Sequence, residues 1–231
     1  MDSELRAELL RRAEQDQTAR LSMDRQHGDR EPDWEPVFSV DADNLPWLET
    51  IVAEVGWPGR SMVGEDGARA AWLLAQHADR DPAFQRRCLD LITDAVERGE
   101  ASPVELAYLT DRVLLAEGQA QEYGTQAEGR EDGYVPCRLR DPAHVDERRA
   151  AMSLGPLDEH LARMAETYGP PRPPTLVCRG CGAGIPFWPL GEDEARHVSC
   201  GACGWTATVT ARPVGPQPGS PDACSGPLAG R

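Results

Sequence analysis

The sequence of 231 residues contains no lysine, and all 24 of its basic residues are arginine. Without a lysine amine the chain cannot form a Schiff base with a carbonyl substrate. It also lacks the lysine of a phosphate-binding P-loop and any lysine general base. These three kinds of chemistry are therefore excluded.

Long apolar runs are missing as well. No uninterrupted apolar stretch approaches the roughly 18 residues that a membrane-spanning helix needs. The N-terminal segment MDSELRAELLRR is charged and has no apolar signal core, so we expect no secretory export. Hydrophobic residues make up 40% of the chain and charged residues 27%, which is typical of a soluble globular protein. The sequence predicts a cytoplasmic protein with no membrane segment.

Positive charge is scarce in most of the chain. The formal net charge is −15, and the whole excess lies in residues 1–174, since acidic and basic residues balance in residues 175–231. A surface this acidic repels phosphate backbones, which argues against nucleic-acid binding. We expect the partner to be a small molecule or another protein, which the sequence does not identify.

The first half of the chain has the periodicity and punctuation of helices. Residues 3–23 predict an amphipathic helix, because apolar residues recur at helical spacing between charged ones. Residues 24–43 are polar and interrupted by proline, which predicts a linker. Further helices are predicted to start near Asn44 and to cover residues 66–78.

Later helices are marked by their capping residues. Asp81 followed by proline, and the capping box from Ser102 to Glu105, each predict a helix start. Asp141 and Pro156 precede two more predicted helices, and no alternating β pattern occurs before residue 175. We therefore expect a mainly α protein, in which an irregular helical bundle precedes a small β zinc-ribbon module. The predicted plan is an all-α domain at 1–168, a proline-rich linker at 169–175, a ribbon at 176–211 and a disordered tail at 212–231.

Two C-x-x-C motifs in the C-terminal part predict a metal site. They consist of Cys178 and Cys181, and of Cys200 and Cys203. The 18 intervening residues match the spacing of a four-cysteine zinc site, in which two tight turns each present two thiolates to one tetrahedral ion. Gly182 and Gly204 follow the motifs, where such a turn can need a positive φ.

Two alternatives to zinc remain at this point. The four cysteines can form two disulfides, although a cytoplasmic setting argues against them. Iron in a rubredoxin-like site uses similar paired turns. If zinc is bound, four thiolates leave no position for water, so we expect one structural ion rather than a catalytic one.

A second group of polar residues marks the helical part of the chain. The predicted helix 66–78 ends in Gln-His-Ala-Asp, and Asp111-Arg112 lies inside an apolar helix that leads directly into GQAQEYGTQ at 118–126. The candidate catalytic residues are His77, Asp79, Asp111 and Arg112. The candidate substrate-binding residues are Gln121, Tyr123, Thr125 and Gln126. In this hypothesis His77 is a general acid or base that Asp79 or Asp111 orients, and the loop residues bind a polar substrate.

A structural interpretation of the same residues stays open beside this one. His77 and Asp79 can cap helices, Asp111 and Arg112 can form an ion pair, and GQAQEYGTQ can be a hydrogen-bonded loop. On the first helix, Asp16 and Arg20 are four residues apart and are predicted to pair.

Several segments together resemble a known family. They are GWPGRSMVGEDGARAAWLLAQHADRDPAFQRRCLDL, ELAYLTDRVLLAEGQAQEYGTQ, DQTAR and VDERRAAMSLGPL. Over residues 5–166 the chain resembles the bacterial family known as domain of unknown function 6624. That family has no established activity, so the resemblance implies no reaction, and the predicted ribbon lies outside it.

Two hypotheses about function follow. The protein is either an enzyme that acts on a small polar molecule or peptide in its helical domain, or a non-catalytic interaction protein that uses an acidic helical platform and the ribbon. Burial distinguishes them, because an enzyme needs the candidate residues to line one pocket.

Overall fold

The computed structural model of the chain describes residues 1–26, 34–171, 173, 175–188 and 195–210. These ranges contain seven α-helices and three two-stranded antiparallel sheets, so the predicted mainly α fold is confirmed. The helices are α1 (Ser3–Gln26), α2 (Glu35–Val55), α3 (Arg60–Gln76), α4 (Pro82–Glu97), α5 (Pro103–Ala116), α6 (Val145–Ala151) and α7 (Leu157–Tyr168). The strands are β1 (Ala127–Arg130), β2 (Gly133–Pro136), β3 (Thr175–Val177), β4 (Gly184–Pro186), β5 (Ala195–Ser199) and β6 (Thr206–Thr210).

Helix α3 lies at the centre of the helical bundle and contacts α1, α2, α4 and α5. Every residue from 70 to 76 is buried, as expected for a helix that is covered on all sides. Ala71, Trp72, Leu74 and Ala75 of this helix are buried in the core. His77 follows α3 directly, so the buried end of this helix places the imidazole inside the bundle.

The predicted starts of α4 and α5 are confirmed by their caps. The Asp81 carboxylate accepts the N–H of Phe84 at 2.9 Å, and the Glu105 carboxylate accepts the N–H of Ser102 at 3.3 Å. Each bond satisfies an N–H that has no partner within or before its helix.

The prediction of a linker at 24–43 is wrong wherever the structure describes it. Helix α1 continues to Gln26 and α2 begins at Glu35 rather than near Asn44, whereas residues 27–33 lie outside the described residues. The polar residues that suggested a linker hold α2 against α1 instead, since Arg20 on α1 donates to Asp41 at 2.6 Å. Pro46 lies inside α2, where its missing N–H removes one intrahelical hydrogen bond.

The prediction that residues 1–168 contain no strand is also wrong. Strands β1 and β2 form a short hairpin in which Ala127 pairs with Pro136 and Arg130 with Gly133. Sequence periodicity does not reveal it, because strands of four residues without alternating polarity give no period-two signal. The hairpin directly follows the GQAQEYGTQ segment and fixes the position of its C-terminal end.

The C-terminal part consists of two further hairpins, β3–β4 and β5–β6, as the predicted ribbon requires. The small core between them contains Ile185 beside Cys178 and Cys200, with Trp205 packed against it. The predicted tail at 212–231 lies outside the described residues. Across the described ranges, no helix has both the length and the apolar character needed to cross a membrane.

Candidate functional site

The four predicted metal ligands meet at one point of the C-terminal module. The Sγ atoms of Cys178 and Cys203 are 3.7 Å apart, those of Cys181 and Cys200 are also 3.7 Å apart, and all four lie within 4.8 Å of one another. A tetrahedral ion with metal–sulfur bonds of about 2.3 Å has sulfur atoms about 3.8 Å apart, whereas the sulfurs of a disulfide are about 2.05 Å apart. The cluster can therefore hold a metal ion, and its geometry is not that of two disulfides.

The two hairpins present their cysteines in the same way. Gly182 donates its N–H to the carbonyl of Cys178, and Gly204 donates to that of Cys200, each at 2.8 Å. The φ angles of these glycines are 77° and 73°, which a residue with a side chain adopts only with strain. The expectation of positive φ at both positions is confirmed. His197 lies on β5 and contacts the Thr208 hydroxyl, outside the ligand cluster.

His77 forms a buried pair with Asp16 of α1. The imidazole Nδ1 lies 2.9 Å from both carboxylate oxygens of Asp16, and the two side chains are 2% and 0% exposed. Arg20 reaches the same carboxylate at 3.2 Å, so the predicted pairing of Asp16 with Arg20 is confirmed. The orienting carboxylate is thus Asp16, rather than Asp79 or Asp111 as the sequence interpretation assumed.

Burial fixes the protonation state of this pair. Burial lowers the pKa of His77 below its ordinary value, although the Asp16 carboxylate acts in the opposite direction. Burial acts to raise the pKa of Asp16, but the hydrogen bond from His77 and the charge of Arg20 hold that pKa below its usual range. At neutral pH the imidazole is therefore neutral and donates from Nδ1, which leaves a lone pair on Nε2. Among the described residues this buried Nε2 has no hydrogen-bond partner.

A small cavity of about 10 Å³ adjoins the imidazole. Its lining consists of Asp16, Asp41, Asn44, Leu45, Leu74, His77 and Ala78. Burial raises the pKa of Asp41 to about 6, in spite of the opposing charge of Arg20, and the nearby charge of Asp16 adds to the increase. Two groups with altered proton affinity, a neutral histidine and a readily protonated carboxyl, thus face one cavity.

The raised pKa of Asp41 predicts a pH-dependent contribution to stability. An unfolded aspartate titrates near pH 3.9, so between about pH 4 and pH 6 the folded state binds more protons than the unfolded state. Its free energy of unfolding therefore falls as the pH rises through this window. Because Asp41→Asn removes the titrating group, we expect the variant to gain about 2 kcal/mol relative to wild type between pH 4 and pH 7, after allowance for partial exposure.

Urea titrations of both proteins at the two pH values measure this difference. A stability difference between variant and wild type that stays constant with pH, or that changes in the opposite direction, would contradict the assignment.

A polar cluster beside His77 consists of the Asp79–Arg112 ion pair and Gln126. The Arg112 guanidinium donates two hydrogen bonds to Asp79, at 2.9 and 3.1 Å, and reaches the Gln126 amide oxygen at 3.5 Å. Gln85 on α4 donates to Asp79 at 3.0 Å. Arg112 is 4% exposed. The two hydrogen bonds to Asp79 offset the desolvation cost of burying the guanidinium charge.

Asp111 anchors the GQAQEYGTQ segment through its backbone. Its buried carboxylate accepts the N–H groups of Glu122, Tyr123 and Thr125 at 2.8, 3.0 and 2.8 Å. Burial raises the pKa of Asp111, and these three donors act in the opposite direction. The lone pairs of the carboxylate are thus directed at the chain itself.

The other candidate binding residues of the segment have internal partners too. The Gln121 amide donates to the carbonyls of Gln126 and Cys137, and its oxygen accepts the N–H of Gln126. The carbonyl of Tyr123 accepts from Arg149 at 2.7 Å, and the Thr125 carbonyl lies 3.3 Å from Nε2 of His160. These contacts hold the segment against α6 and α7.

The candidate residues therefore form two groups and not one pocket wall. His77, Arg112 and Gln126 belong with Asp16 to a buried polar network, which the exposed Asp79 joins through Arg112, while Asp111, Gln121, Tyr123 and Thr125 support a loop. The network also contains Arg20, Asp41, Asn44 and Gln85, which the sequence interpretation did not select. Among these contacts only the spacing of Asp16 and Arg20 was a signal in the sequence, because the contacts of His77, Asp41 and Arg112 join distant parts of the chain.

Comparison with known proteins places this helical part in a family. No curated protein and no solved structure matches the chain significantly. The model of a family of unknown function (DUF6624) matches residues 3–171, a range that includes the buried network and the anchored loop and ends before the cysteine cluster. The chain belongs to this family of unknown function, with a four-cysteine module that follows the family region.

Proposed function

We propose that the protein is an enzyme that acts on a small polar molecule by proton transfer at His77 Nε2. The observation that carries the proposal is the buried Asp16–His77 pair, in which Nδ1 is bound at 2.9 Å and Nε2 is left without a partner among the described residues at a small polar cavity. Buried polar atoms almost always have partners, so an unpartnered imidazole nitrogen requires an explanation. A carboxylate that fixes the imidazole tautomer is the arrangement that general-base catalysis uses.

The charged surroundings support the proposal. Asp16, Arg20 and Arg112 are removed from water around one histidine, at a considerable cost in desolvation. Apolar replacement of buried ion pairs is often neutral or stabilising in proteins, so a network of this kind favours a role other than packing. Asp41, with its pKa raised to about 6, is the group suited to return a proton to a leaving group.

A comparison of three proteins tests this function. Wild type, His77→Asn and His144→Asn are incubated with a cellular extract of small polar molecules, and mass spectrometry follows which components disappear. Asparagine keeps a donor at the position of Nδ1 and removes Nε2, so Asp16 keeps its partner. General acid–base catalysis contributes about 10²- to 10⁴-fold, and we expect His77→Asn to lose at least about 100-fold of the turnover rate.

His144 is the matched control, since its Nδ1 bonds Asp141 at 2.8 Å on the protein surface. Its variant should turn over the same components at the wild-type rate. Equal rates in wild type and a folded His77→Asn protein, or no turnover by wild type, would contradict the proposal.

For the C-terminal module we propose one structural zinc ion held by Cys178, Cys181, Cys200 and Cys203. Zinc prefers four thiolates in tetrahedral geometry, and the two hairpins supply them in equivalent turns. Four protein ligands leave no position for water or substrate, so the ion stabilises the module and takes no part in the reaction. A reducing cytoplasmic location, which we also propose, keeps the thiols available for the metal.

A second candidate is a non-catalytic interaction protein, and a groove on the ribbon favours it. Its volume is about 320 Å³, and its lining includes Phe187, Trp188 and Arg196. The cavity beside His77 is far smaller and admits only a single atom group. If His77→Asn leaves every turnover unchanged, this second candidate replaces the first.

A further inference from the structure

We infer that the cavity beside His77 is a binding site for one water molecule, held between His77 Nε2 and Asn44 Nδ2, and that this water is the nucleophile of a hydrolytic reaction. The inference deepens the proposed function and rests on it, because it names the atom that His77 deprotonates. The inference is carried by Asn44 and His77, which line one cavity and each have a buried polar atom without a partner among the described residues.

Asn44 supplies the first of these atoms. Its Oδ1 accepts a hydrogen bond from Arg12 at 3.0 Å, which fixes the orientation of the amide, since arginine can only donate. Arg12 is in turn held by Asp43 at 2.8 Å and lies over the ring of Trp47. The amide nitrogen Nδ2 is thereby directed away from Arg12, and among the described residues it is buried without an acceptor.

His77 supplies the second atom. With Nδ1–H donated to Asp16, Nε2 is an acceptor. Asn44 therefore offers a proton to the cavity, and His77 offers a lone pair. A group that satisfies both must accept and donate hydrogen bonds at the same atom, and an oxygen bearing hydrogen does so.

The size of the cavity selects water among such groups. Its volume of about 10 Å³ corresponds to a single water molecule, and a buried water needs two to four polar partners. The carboxylates of Asp16 and Asp41 also line the cavity and can accept the second hydrogen of the water. No larger molecule fits inside, so an acyl group meets the water at the partly exposed side of the lining, where Asp41 and Leu45 lie.

The lining also favours one class of reaction. None of its seven residues carries a hydroxyl or a thiol, and the Asp16 and Asp41 carboxylates are bound by His77 and Arg20, so water is the nucleophile that the lining favours. In the step that we infer, water gives one proton to His77 Nε2 while its oxygen bonds to the electrophilic carbon of an ester or amide. The bond to the leaving group then breaks, and the leaving group takes a proton from His77 or from the Asp41 carboxyl. The net charge of −15 repels polyphosphates, which favours an uncharged or cationic acyl substrate.

Water-selective NMR on the intact protein tests the site without a substrate. We expect a nuclear Overhauser effect between a long-lived water and the His77 ring protons in wild type, and its loss in Asn44→Leu, which removes the donor at nearly constant volume. The matched control is Gln76→Leu, because Gln76 is also a buried amide whose side chain has no partner among the described residues, yet it does not line the cavity. That variant should keep the signal.

Activity separates the inference from the proposed function. We expect Asn44→Leu to lower the turnover rate by at least about 10-fold, a smaller loss than that of His77→Asn, and products formed in H₂¹⁸O to carry one ¹⁸O atom. If His77→Asn is inactive but no water is detected or no ¹⁸O enters the product, the inference is wrong and the proposed function remains. If the water is present but His77→Asn is fully active, both fail and the water is purely structural.

Discussion

Replacement of Cys200 by serine is expected to lower the affinity of the C-terminal module for zinc by at least about 100-fold and to unfold its two hairpins. Changes to residues that only hydrogen-bond to metal ligands typically cost 10- to 100-fold in metal affinity. Cys200 offers one of the four sulfur atoms that would bind the ion directly. Metal analysis of the purified proteins should find one zinc per chain in wild type and a strongly reduced content in the variant.

The expected unfolding follows from the size of the ribbon core. Among the described residues, the core beneath the hairpins consists of Cys178, Ile185 and Cys200 with three partly buried neighbours. Modules this small rarely fold on apolar burial alone. Zinc binding contributes about 10–16 kcal/mol to folding in comparable zinc-finger peptides, and this contribution disappears when the ion is released.

Cys88→Ala is the matched control for this experiment. Cys88 is a fully buried cysteine of the helical core, and burial raises its pKa to about 12, so it offers no thiolate to a metal. Its variant should keep one zinc per chain, while Cys200→Ser should keep the helical signal in far-ultraviolet circular dichroism. Iron in the wild-type protein, or full zinc occupancy in Cys200→Ser, would contradict the zinc assignment.

The cysteine cluster was predictable from the sequence because its geometry is local. Two residues between the thiolates and a glycine after them determine each turn, and both Gly182 and Gly204 have the expected positive φ. The only long-range step is the meeting of two equivalent hairpins at one point, and tetrahedral coordination requires it.

The Asp16–His77 pair was not predictable in the same way. Its members are 61 residues apart, and nothing in the spacing of either residue indicates the other. Asp41 was hidden for a related reason, since its polar surroundings predict a linker although it belongs to α2. The cavity forms only where α1, α2 and α3 pack together, so the sequence alone does not reveal which side chains line it.

The role of Asp111 shows how a correct selection can have a different physical basis. An aspartate within an apolar helix indicated a special role, and the sequence interpretation assigned it to catalysis. In the structure its carboxylate accepts three backbone N–H groups of the following loop. Sequence patterns identify an unusual buried charge, but they do not show whether its partner is a substrate or the chain itself.

Substitution of Asp111 by alanine is accordingly expected to lower the free energy of unfolding of the helical domain by about 4 kcal/mol. A buried N–H left without an acceptor costs about 1–3 kcal/mol, and this variant leaves three of them, at residues 122, 123 and 125. Some of that cost is recovered where water enters beside the partly exposed Glu122 and Tyr123. A loss of this size is a large fraction of the 5–15 kcal/mol that stabilises a typical domain.

Urea denaturation followed by circular dichroism measures the loss, and two further variants define its origin. Asp111→Asn keeps one accepting oxygen of nearly the same shape, so its loss should be about half as large and its unfolding should remain measurable. Asp90→Ala removes an exposed aspartate from α4 and should change the free energy by less than about 0.5 kcal/mol. Equal stability of Asp111→Ala and Asp90→Ala would show that the three hydrogen bonds do not hold the loop, and the segment that contains Tyr123 would then be free to serve another purpose.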